Sequence, residues 1–255
     1  MIEIFILSLI QGITEFIPIS SSSHLILISE FINYKNQSLS IDVSLHIGSF
    51  IAVVVYFYKD LINFIDNKIL FFKILISSFP VMIIGYFLAE LEIINKLRNL
   101  QTIAWTTILF GILLYISDRF KLEKNIKKDF TLRSAFFIGF LQIFSLIPGV
   151  SRSGVAITAA RFLNFKRIDS AKISFFLSIP ILGAVSLFGF KNLIIEDNIN
   201  FTILNLVSIF LSFFISLITI KYFLKYLNKF SLNIFVYYRI FLGLALLSIC
   251  SPVIT

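Results

Sequence analysis

The sequence predicts an all-α integral membrane protein with six transmembrane helices and two re-entrant helical hairpins, arranged as an inverted-topology internal repeat. Composition gives the membrane class: 58% of the 255 residues are hydrophobic, only 14% are charged, and the mean hydropathy is +0.96. A soluble domain is nearer half apolar and about a quarter charged, and its single core could not hide this much apolar surface. A Pro- and Ser-containing motif that occurs twice predicts the hairpins and the repeat.

Six apolar runs approach the length of a membrane-spanning helix, which needs about 20 residues. They are residues 41–57, 69–89, 102–116, 171–190, 201–220 and 234–253. The third run is short, which predicts a helix that starts nearer Leu100. The N-terminal segment lacks Lys and Arg and a small-residue cleavage site, so we do not expect a cleavable signal. We interpret the net charge of +8 as basic cytoplasmic loops and expect no nucleic-acid partner.

Two stretches share one order of residues: Gln, a short mixed segment, Ile-Pro, and a Ser-rich turn. They are residues 11–23 and 142–153, and their prolines, Pro18 and Pro148, lie 130 positions apart. The same offset carries each of the first three apolar runs onto one of the last three. We therefore predict a single membrane domain made of repeat 1 (about 1–118) and repeat 2 (about 132–255), joined by a basic cytoplasmic loop (about 118–133).

The Pro- and Ser-containing segments are not ordinary spans. Irregular backbone at membrane depth survives only where protein or a water-filled cavity covers it, which predicts a helical hairpin that enters and leaves on one side. Each repeat then crosses the membrane three times. Because three is odd, the second repeat is inverted relative to the first, as in many transporters.

The distribution of loop charges is consistent with this topology. If the N-terminus lies on side A, side B carries 16 of the 22 Lys and Arg residues and side A carries four. Cytoplasmic loops are rich in Lys and Arg, so side B is predicted to be cytoplasmic and both termini to lie outside. Arg161 is counted with the side-B loops, and Arg239 is expected to extend its side chain to the cytoplasmic interface.

Ionisable side chains within membrane segments are few, and such groups mark functional sites by default. Arg152 offers a planar fork of donors for phosphate oxygens. His24 is suited to act as nucleophile or as acid and base near neutral pH. Glu15 is suited to orient His24, to accept a proton or to bind a divalent cation. Together these residues predict an anion pocket with a nucleophile inside the membrane.

Each of these residues also has a structural interpretation. His24 is equally well explained as a hydrogen-bonded structural histidine, and Glu15 as a hairpin cap or as the ion-pair partner of Arg152. The serines are also typical of helix caps. His46, at the start of an apolar run, is predicted to be structural, and Arg98 to lie in a solvated loop.

At these residues the sequence resembles a known family. Residues 11–24, Gln-Gly-Ile-Thr-Glu-Phe-Ile-Pro-Ile-Ser-Ser-Ser-Ser-His, resemble the first signature of undecaprenyl-diphosphate phosphatases of the bacitracin-resistance type. Residues 148–154, Pro-Gly-Val-Ser-Arg-Ser-Gly, resemble the second, and residues 42–57 and 171–180 are similar as well. The resemblance covers essentially the whole chain. It implies hydrolysis of undecaprenyl diphosphate at the periplasmic side of the bacterial inner membrane, which recycles the lipid carrier of peptidoglycan synthesis and confers bacitracin resistance.

The resemblance also implies roles for single residues. The implied catalytic residues are Glu15, Ser21, His24 and Arg152. The implied substrate contacts are Gln11, Ser22, Gly149, Ser151, Ser153 and Gly154. The hypothesis allows Mg²⁺ or another divalent cation beside the phosphates, with Glu15 as its candidate ligand.

The sequence departs from the family pattern at two positions. Gln11 stands where some members carry a second glutamate, which puts a two-carboxylate mechanism in doubt. Ser23 replaces the glycine usually found before the histidine, so a serine is expected to adopt that turn without the freedom of glycine at positive φ.

A second hypothesis is a transporter or flippase for a lipid phosphate or another anion, because inverted repeats with broken helices and a midplane anion site are typical of carriers. Fold alone does not separate the two functions. A purely structural subunit would leave Glu15, His24 and Arg152 at membrane depth without a task. The expected partners are undecaprenyl diphosphate and membrane lipids.

Overall fold

The computed structural model describes residues 2–32, 39–66, 68–91, 93–195 and 203–250. Within these ranges every regular element is a helix, apart from one isolated β-bridge between Lys124 and Phe165. The first half contains α1 (Ile2–Thr14), α2 (Ser21–Ile32), α3 (Leu39–Tyr56), α4 (Tyr58–Asp66), α5 (Lys68–Glu90), α6 (Ile93–Leu97) and α7 (Leu100–Asp118). The second half contains α8 (Ile126–Asp129), α9 (Leu132–Gln142), a 3-10 turn (Ile143–Leu146), α10 (Arg152–Phe162), α11 (Arg167–Ile195), α12 (Ile203–Leu227) and α13 (Asn233–Cys250).

Five helices of the described ranges, α5, α7, α11, α12 and α13, are long and apolar enough to cross a membrane. The prediction of an all-helical, multi-pass membrane protein is thereby confirmed, and α7 begins at Leu100 as its short apolar run predicted. The run 41–57 forms α3, which carries Asp42 and His46 and is not among the five by length and composition. Two ends of the predicted apolar runs, Phe201 and Val253, lie outside the described residues.

The outer surface of the helix bundle is apolar. Phe140, Leu187 and Phe241 expose 65%, 75% and 75% of their surface, and exposed apolar surface on this scale marks contact with a membrane. Small and hydroxyl side chains lie instead between helices, as is usual in membrane bundles. Ser49 of α3, for example, is within 3.1 Å of the Ser212 hydroxyl of α12.

Each of the two Pro- and Ser-containing segments forms a helix–turn–helix unit. The first unit is α1, a turn with Pro18, and α2; the second is α9, the 3-10 turn, a turn with Pro148, and α10. Ser20 and Ser151, each directly before the second helix of its unit, have φ of 76° and 72°. Positive φ is uncommon and strained for a residue other than glycine. The expectation for Ser23 is therefore wrong, because Ser23 lies in the first turn of α2 and Ser20 makes the turn.

Helices α1, α3 and α12 run in the same direction, because contacting residues advance together along them. Leu204 and Val207 at the start of α12 pack in the apolar cluster that holds Ile4 and Leu7, whereas Gly12, farther along α1, faces Ile215. Between α3 and α12 the successive side-chain contacts are Ser44–Asn205 and Ser49–Ser216.

Helices α5, α9 and α11 run in the opposite direction to this first group. Along α5, Lys73 donates to the carbonyl of Phe130, just before α9, and Ser77 packs against Gly139 of α9. On α11, Leu177 contacts Ser78 and Phe188 contacts Tyr86. Helix α11 packs against α3 in the reverse order, because Phe57 contacts Phe176 whereas Val43 contacts Gly189. Consequently α1 and α9, which open the two helix–turn–helix units, point in opposite directions.

Several helix ends meet around Asp118 at the end of α7. Arg167 donates to its carboxylate at 2.7 and 3.0 Å, and the Leu232 amide donates at 3.1 Å. Arg161 is fully buried, forms an ion pair with Asp118, and donates to the carbonyls of Phe120 and Phe165. Arg161, which was counted with the side-B loops, lies on the same side as Lys121 but is buried in the last turn of α10, where its guanidinium satisfies backbone carbonyls.

Candidate active site

The turns of the two helix–turn–helix units meet, and the contact includes an ion pair. Arg152, the first residue of α10, donates through Nη2 to Oε1 of Glu15 at 2.7 Å, and Glu15 directly follows α1. Both side chains are largely buried, with 11% and 6% of their surface exposed. The Ser153 hydroxyl donates to the carbonyl of Ile17 at 2.8 Å. The sequence predicted that Glu15, His24 and Arg152 converge on one pocket; Glu15 and Arg152 meet as predicted, whereas His24 is not among the residues that line the cavity here.

The Glu15 carboxylate is held by three donors. Oε1 accepts from Arg152, and Oε2 accepts from the Ser21 hydroxyl at 2.7 Å and from the Gln11 amide at 3.0 Å. Charge-assisted hydrogen bonds to a carboxylate are about twice as strong as neutral ones. The ionised form of Glu15 is therefore stabilised, and the Ser21 hydroxyl already points its proton at a carboxylate.

A cavity of about 590 Å³ opens from this cluster. Its polar wall includes the side chains of Glu15, Ser21 and Arg152. Apolar residues of α5 and α11 form much of the remaining wall; they are Val81, Met82, Ile181, Leu182 and Val185. A cavity with one polar end and a long apolar wall suits an amphipathic ligand whose head group is an anion.

Arg239 holds the two turns in place from α13. It is fully buried and donates to the carbonyls of Pro18 in the first turn at 3.1 Å and of Gly149 and Val150 in the second at 2.9 and 3.1 Å. A fourth bond, from Nε, reaches the carbonyl of Thr107 at 3.2 Å. The expectation that Arg239 extends to the interface was wrong, because its planar fork matches carbonyls that the irregular turns leave without helical partners.

His24 is not oriented by Glu15. Its Nδ1 lies 2.6 Å from the carbonyl of Ser20 and its Nε2 lies 2.6 Å from the hydroxyl of Tyr238 on α13. The predicted pairing of His24 with Glu15 is corrected by this geometry, because both ring nitrogens have nearer partners and the Glu15 oxygens are taken by other donors. His24 joins the first turn of α2 to the same helix that carries Arg239.

The other histidine, His46, lines the cavity. Its Nδ1 lies 3.0 Å from Nε2 of Gln11, so Gln11 joins His46 to Glu15. Gln11 itself is fully buried and is not among the residues of the cavity wall. Its predicted role as a substrate contact is replaced by a link within the protein.

The remaining predicted contacts divide into two groups. Ser22, Ser151 and Ser153 line the cavity, and Ser151 also caps α10 by accepting from the amide of Gly154. Gly149 and Gly154 are not on the cavity wall and serve packing instead. A Cβ on Gly149, whose φ is +93°, would collide with Thr106, and one on Gly154 would lie 2.9 Å from Nη1 of Arg239.

The donor set does not fit a resident metal ion held by the protein alone. The described residues contain no group of three or more His, Cys, Asp or Glu side chains arranged to hold a metal. The candidate ligand Glu15 already accepts from three donors, two of them on one oxygen. Mg²⁺ requires near-ideal octahedral oxygen coordination, so we derive no chemical step through a metal ion.

Sequence reasoning missed His46, Arg98, Tyr238 and Arg239. His46 lies four residues after Asp42, so both share one polar face of an otherwise apolar run, and that face was an available signal. Arg239 is a single arginine within an apolar run, which by default faces the interior of a bundle. Arg98 also lines the cavity, and nothing in the pattern of its loop predicted this.

The fold and the site define an α-helical membrane protein with a cavity, polar on one part of its wall and apolar on another, where the turns of two helix–turn–helix units meet. The family model described as "Bacitracin resistance protein BacA" matches residues 4–245, and the chain belongs to this family. The chain is 47% identical over 246 residues to an undecaprenyl-diphosphatase of Pelagibacter ubique, covering 96% of both chains. It is 40% identical to that of Saccharophagus degradans, covering 95% and 96% of the two chains, and 37% identical to that of Jannaschia sp., covering 96% and 97%.

Proposed function

We propose that the chain is an undecaprenyl-diphosphatase of the bacterial inner membrane. It hydrolyses undecaprenyl diphosphate to undecaprenyl phosphate and inorganic phosphate, recycles the lipid carrier for peptidoglycan synthesis and confers bacitracin resistance. The observation that carries this function is the Glu15–Ser21–Arg152 cluster at the polar end of a cavity with apolar walls. The names of relatives up to 47% identical supply the substrate.

The diphosphate lies at the polar end of the cavity in this proposal. Arg152 binds phosphate oxygens with its guanidinium fork, and the hydroxyls of Ser22 and Ser151 donate to the same anion, while Ser153 donates to Ile17 and lines the cavity. The first isoprene units follow the apolar wall between α5 and α11 toward lipid. Any divalent cation that enters with the substrate is held mainly by the phosphates, as is usual for Mg²⁺.

Ser21 is the nucleophile that the geometry supports. Its hydroxyl donates to Glu15 at 2.7 Å, which is the nucleophile-and-base arrangement of covalent catalysis. Oγ of Ser21 forms a bond to the terminal phosphorus, its proton passes to Glu15, and the bond from phosphorus to the bridging oxygen breaks to release undecaprenyl phosphate. Glu15 passes that proton to the departing undecaprenyl phosphate and is again a carboxylate. Water then attacks the phosphoserine and gives a proton to Glu15, the bond from phosphorus to Oγ breaks, and Ser21 recovers its proton from Glu15 as inorganic phosphate leaves. His24 contributes indirectly in this proposal, by fixing α2 against α13.

The membrane topology forms part of the proposal. Six helices span the bilayer, with α3 as the sixth, and the two helix–turn–helix units are re-entrant hairpins of inverted repeats, about 1–118 and 132–255. The opposite directions of α1 and α9 support this arrangement. The cavity wall also reaches Ala89 and Arg98, at the ends of α5 and α7 away from the Lys- and Arg-rich side around Asp118. This supports termini outside and a site open to the periplasm.

An impermeant maleimide tests this topology. The native Cys250 is first replaced by serine, and a single cysteine is then introduced as Arg98→Cys or Lys127→Cys. In intact spheroplasts we expect labelling of the first variant only, whereas after lysis both react. Labelling of Lys127→Cys in intact cells would reverse the proposed orientation.

Release of inorganic phosphate from undecaprenyl diphosphate in detergent tests the activity itself. Transport is impossible without a sealed membrane, so release by the wild type and its loss in Ser21→Ala identify an enzyme. Binding of the lipid without release would favour the transporter or flippase. A phosphoserine trapped by acid quench in the wild type, and absent from Ser21→Ala, tests the covalent step.

A further inference from the structure

His46 shares the cavity with Glu15, Ser21 and Arg152. It projects from α3, close to the middle of that helix. The wall of the cavity therefore includes a histidine from an element that belongs to neither hairpin. Its surroundings determine which ring nitrogen carries the proton.

The Gln11 amide fixes the tautomer of His46. The ionised Glu15 carboxylate only accepts hydrogen bonds, so the Gln11 group 3.0 Å from it is the NH₂ end. The same NH₂ lies 3.0 Å from Nδ1 of His46. Because that nitrogen meets a donor, Nδ1 is the acceptor, and a neutral ring then carries its hydrogen on Nε2.

The Nε2–H group is the free donor of this ring. Among the described residues, Nδ1 is the only nitrogen of His46 with a hydrogen-bond partner. In His24, by contrast, both nitrogens have protein partners. A donor without a protein partner, on the wall of a cavity that holds an arginine for an anion, is placed to meet that anion.

We propose that His46 is a substrate-binding residue whose Nε2–H donates a hydrogen bond to a phosphate oxygen of the bound diphosphate, with Gln11 as the positioning residue that holds the tautomer. This inference rests on the proposed phosphatase function. It explains why a buried glutamine serves at position 11: an amide donates to Glu15 and His46 together, whereas an ionised glutamate could donate to neither. A hydrogen bond to a charged group is worth about 10- to 100-fold in affinity.

Three substitutions of His46 separate a donor from a packing residue. His46→Gln places an amide NH₂ near the position of Nε2, His46→Asn places one only near Nδ1, and His46→Phe keeps a ring without donors. We expect His46→Phe to lower kcat/KM for undecaprenyl diphosphate by about 10- to 100-fold, His46→Gln to recover most of this loss, and His46→Asn to recover little. Wild-type kcat/KM in His46→Phe, or better recovery by Asn than by Gln, would overturn the proposal.

The tautomer is measured without any turnover. The chain contains two histidines, so ¹⁵N-histidine labelling gives two rings, which His24→Gln assigns. At a pH where the ring of His46 is neutral, we expect its proton on Nε2, and we expect this fixed tautomer to be lost in Gln11→Ala. A proton on Nδ1 of His46 in the wild type would refute the positioning role of Gln11.

The two experiments distinguish failure of this inference from failure of the proposed function. If the wild type releases no phosphate, the phosphatase proposal fails even if the tautomer is as expected. If the wild type is active and His46→Phe equals it, the enzyme stands and the role of His46 is excluded.

Discussion

Replacing Arg239 with leucine removes a buried cation that four backbone carbonyls share. Three of these carbonyls belong to the turns that carry the site, those of Pro18, Gly149 and Val150, and the fourth to Thr107. Interhelical hydrogen bonds in membrane proteins are worth about 0.6–1.7 kcal/mol each, so four bonds correspond to about 2–7 kcal/mol. The substitution also removes the free-energy cost of burying a guanidinium inside the membrane. We therefore expect a value near the lower end of this range, a loss of about 2 kcal/mol in the free energy of unfolding.

The measurement combines unfolding in detergent with phosphate release from undecaprenyl diphosphate. For a chain of this size, about 2 kcal/mol lowers Tm by roughly 4–8 °C. Activity should fall further than stability, because loosened turns separate Glu15 from Arg152, and small displacements of catalytic groups can cost about 100-fold in rate. Arg239→Lys keeps the charge but offers fewer donors, so it should be intermediate in Tm and activity. Phe241→Leu on the exposed face of α13 is the matched control and should change neither.

The reasoning fails if Arg239→Leu retains the wild-type Tm and kcat at 25 °C. In that case the carbonyls of the turns would be satisfied without the guanidinium, and the contact between the turns would be maintained by the Glu15–Arg152 pair and the bond from Ser153 to Ile17.

Further substitutions test other contacts. Arg152→Lys loses the planar fork and should lower kcat/KM by about 100-fold with an unchanged Tm; near-normal turnover would remove Arg152 from phosphate binding. Tyr238→Phe breaks the bond to His24 and should cost about 1 kcal/mol of stability and a few-fold in kcat, and a complete loss of activity would point to a direct chemical role for His24. Arg98→Gln should raise KM at low salt and approach the wild type at high salt, where charge attraction is screened; a salt-independent KM would argue against steering by Arg98. Asp118→Asn should lower Tm because buried cations lose their counter-ion, while the remaining folded enzyme keeps its kcat.

The sequence was sufficient to predict the helical membrane class, the two broken segments and the meeting of Glu15 with Arg152. These predictions rest on strong physical constraints, because water is absent from the bilayer core and irregular backbone there needs protein cover. The ionisable groups of both segments were also so few that their convergence was the simplest way to offset their burial.

The partners of single side chains could not be predicted in the same way. His24 and His46 are both polar residues in apolar surroundings, and only the rotation of each helix about its axis decides which ring enters the cavity. Arg239 lies only six residues after the start of α13, so composition suggested a side chain that reaches the interface. Its actual direction follows from the carbonyls of two turns more than 80 residues away in the chain.

The resting ion pair between Glu15 and Arg152 has a consequence for turnover. An arriving diphosphate must compete with Glu15 for the guanidinium, so part of its binding free energy is used to displace an internal anion. After hydrolysis the same carboxylate competes with the inorganic phosphate that remains. The enzyme thus carries its own competitive ligand, which favours product departure and should keep inhibition by free phosphate weak.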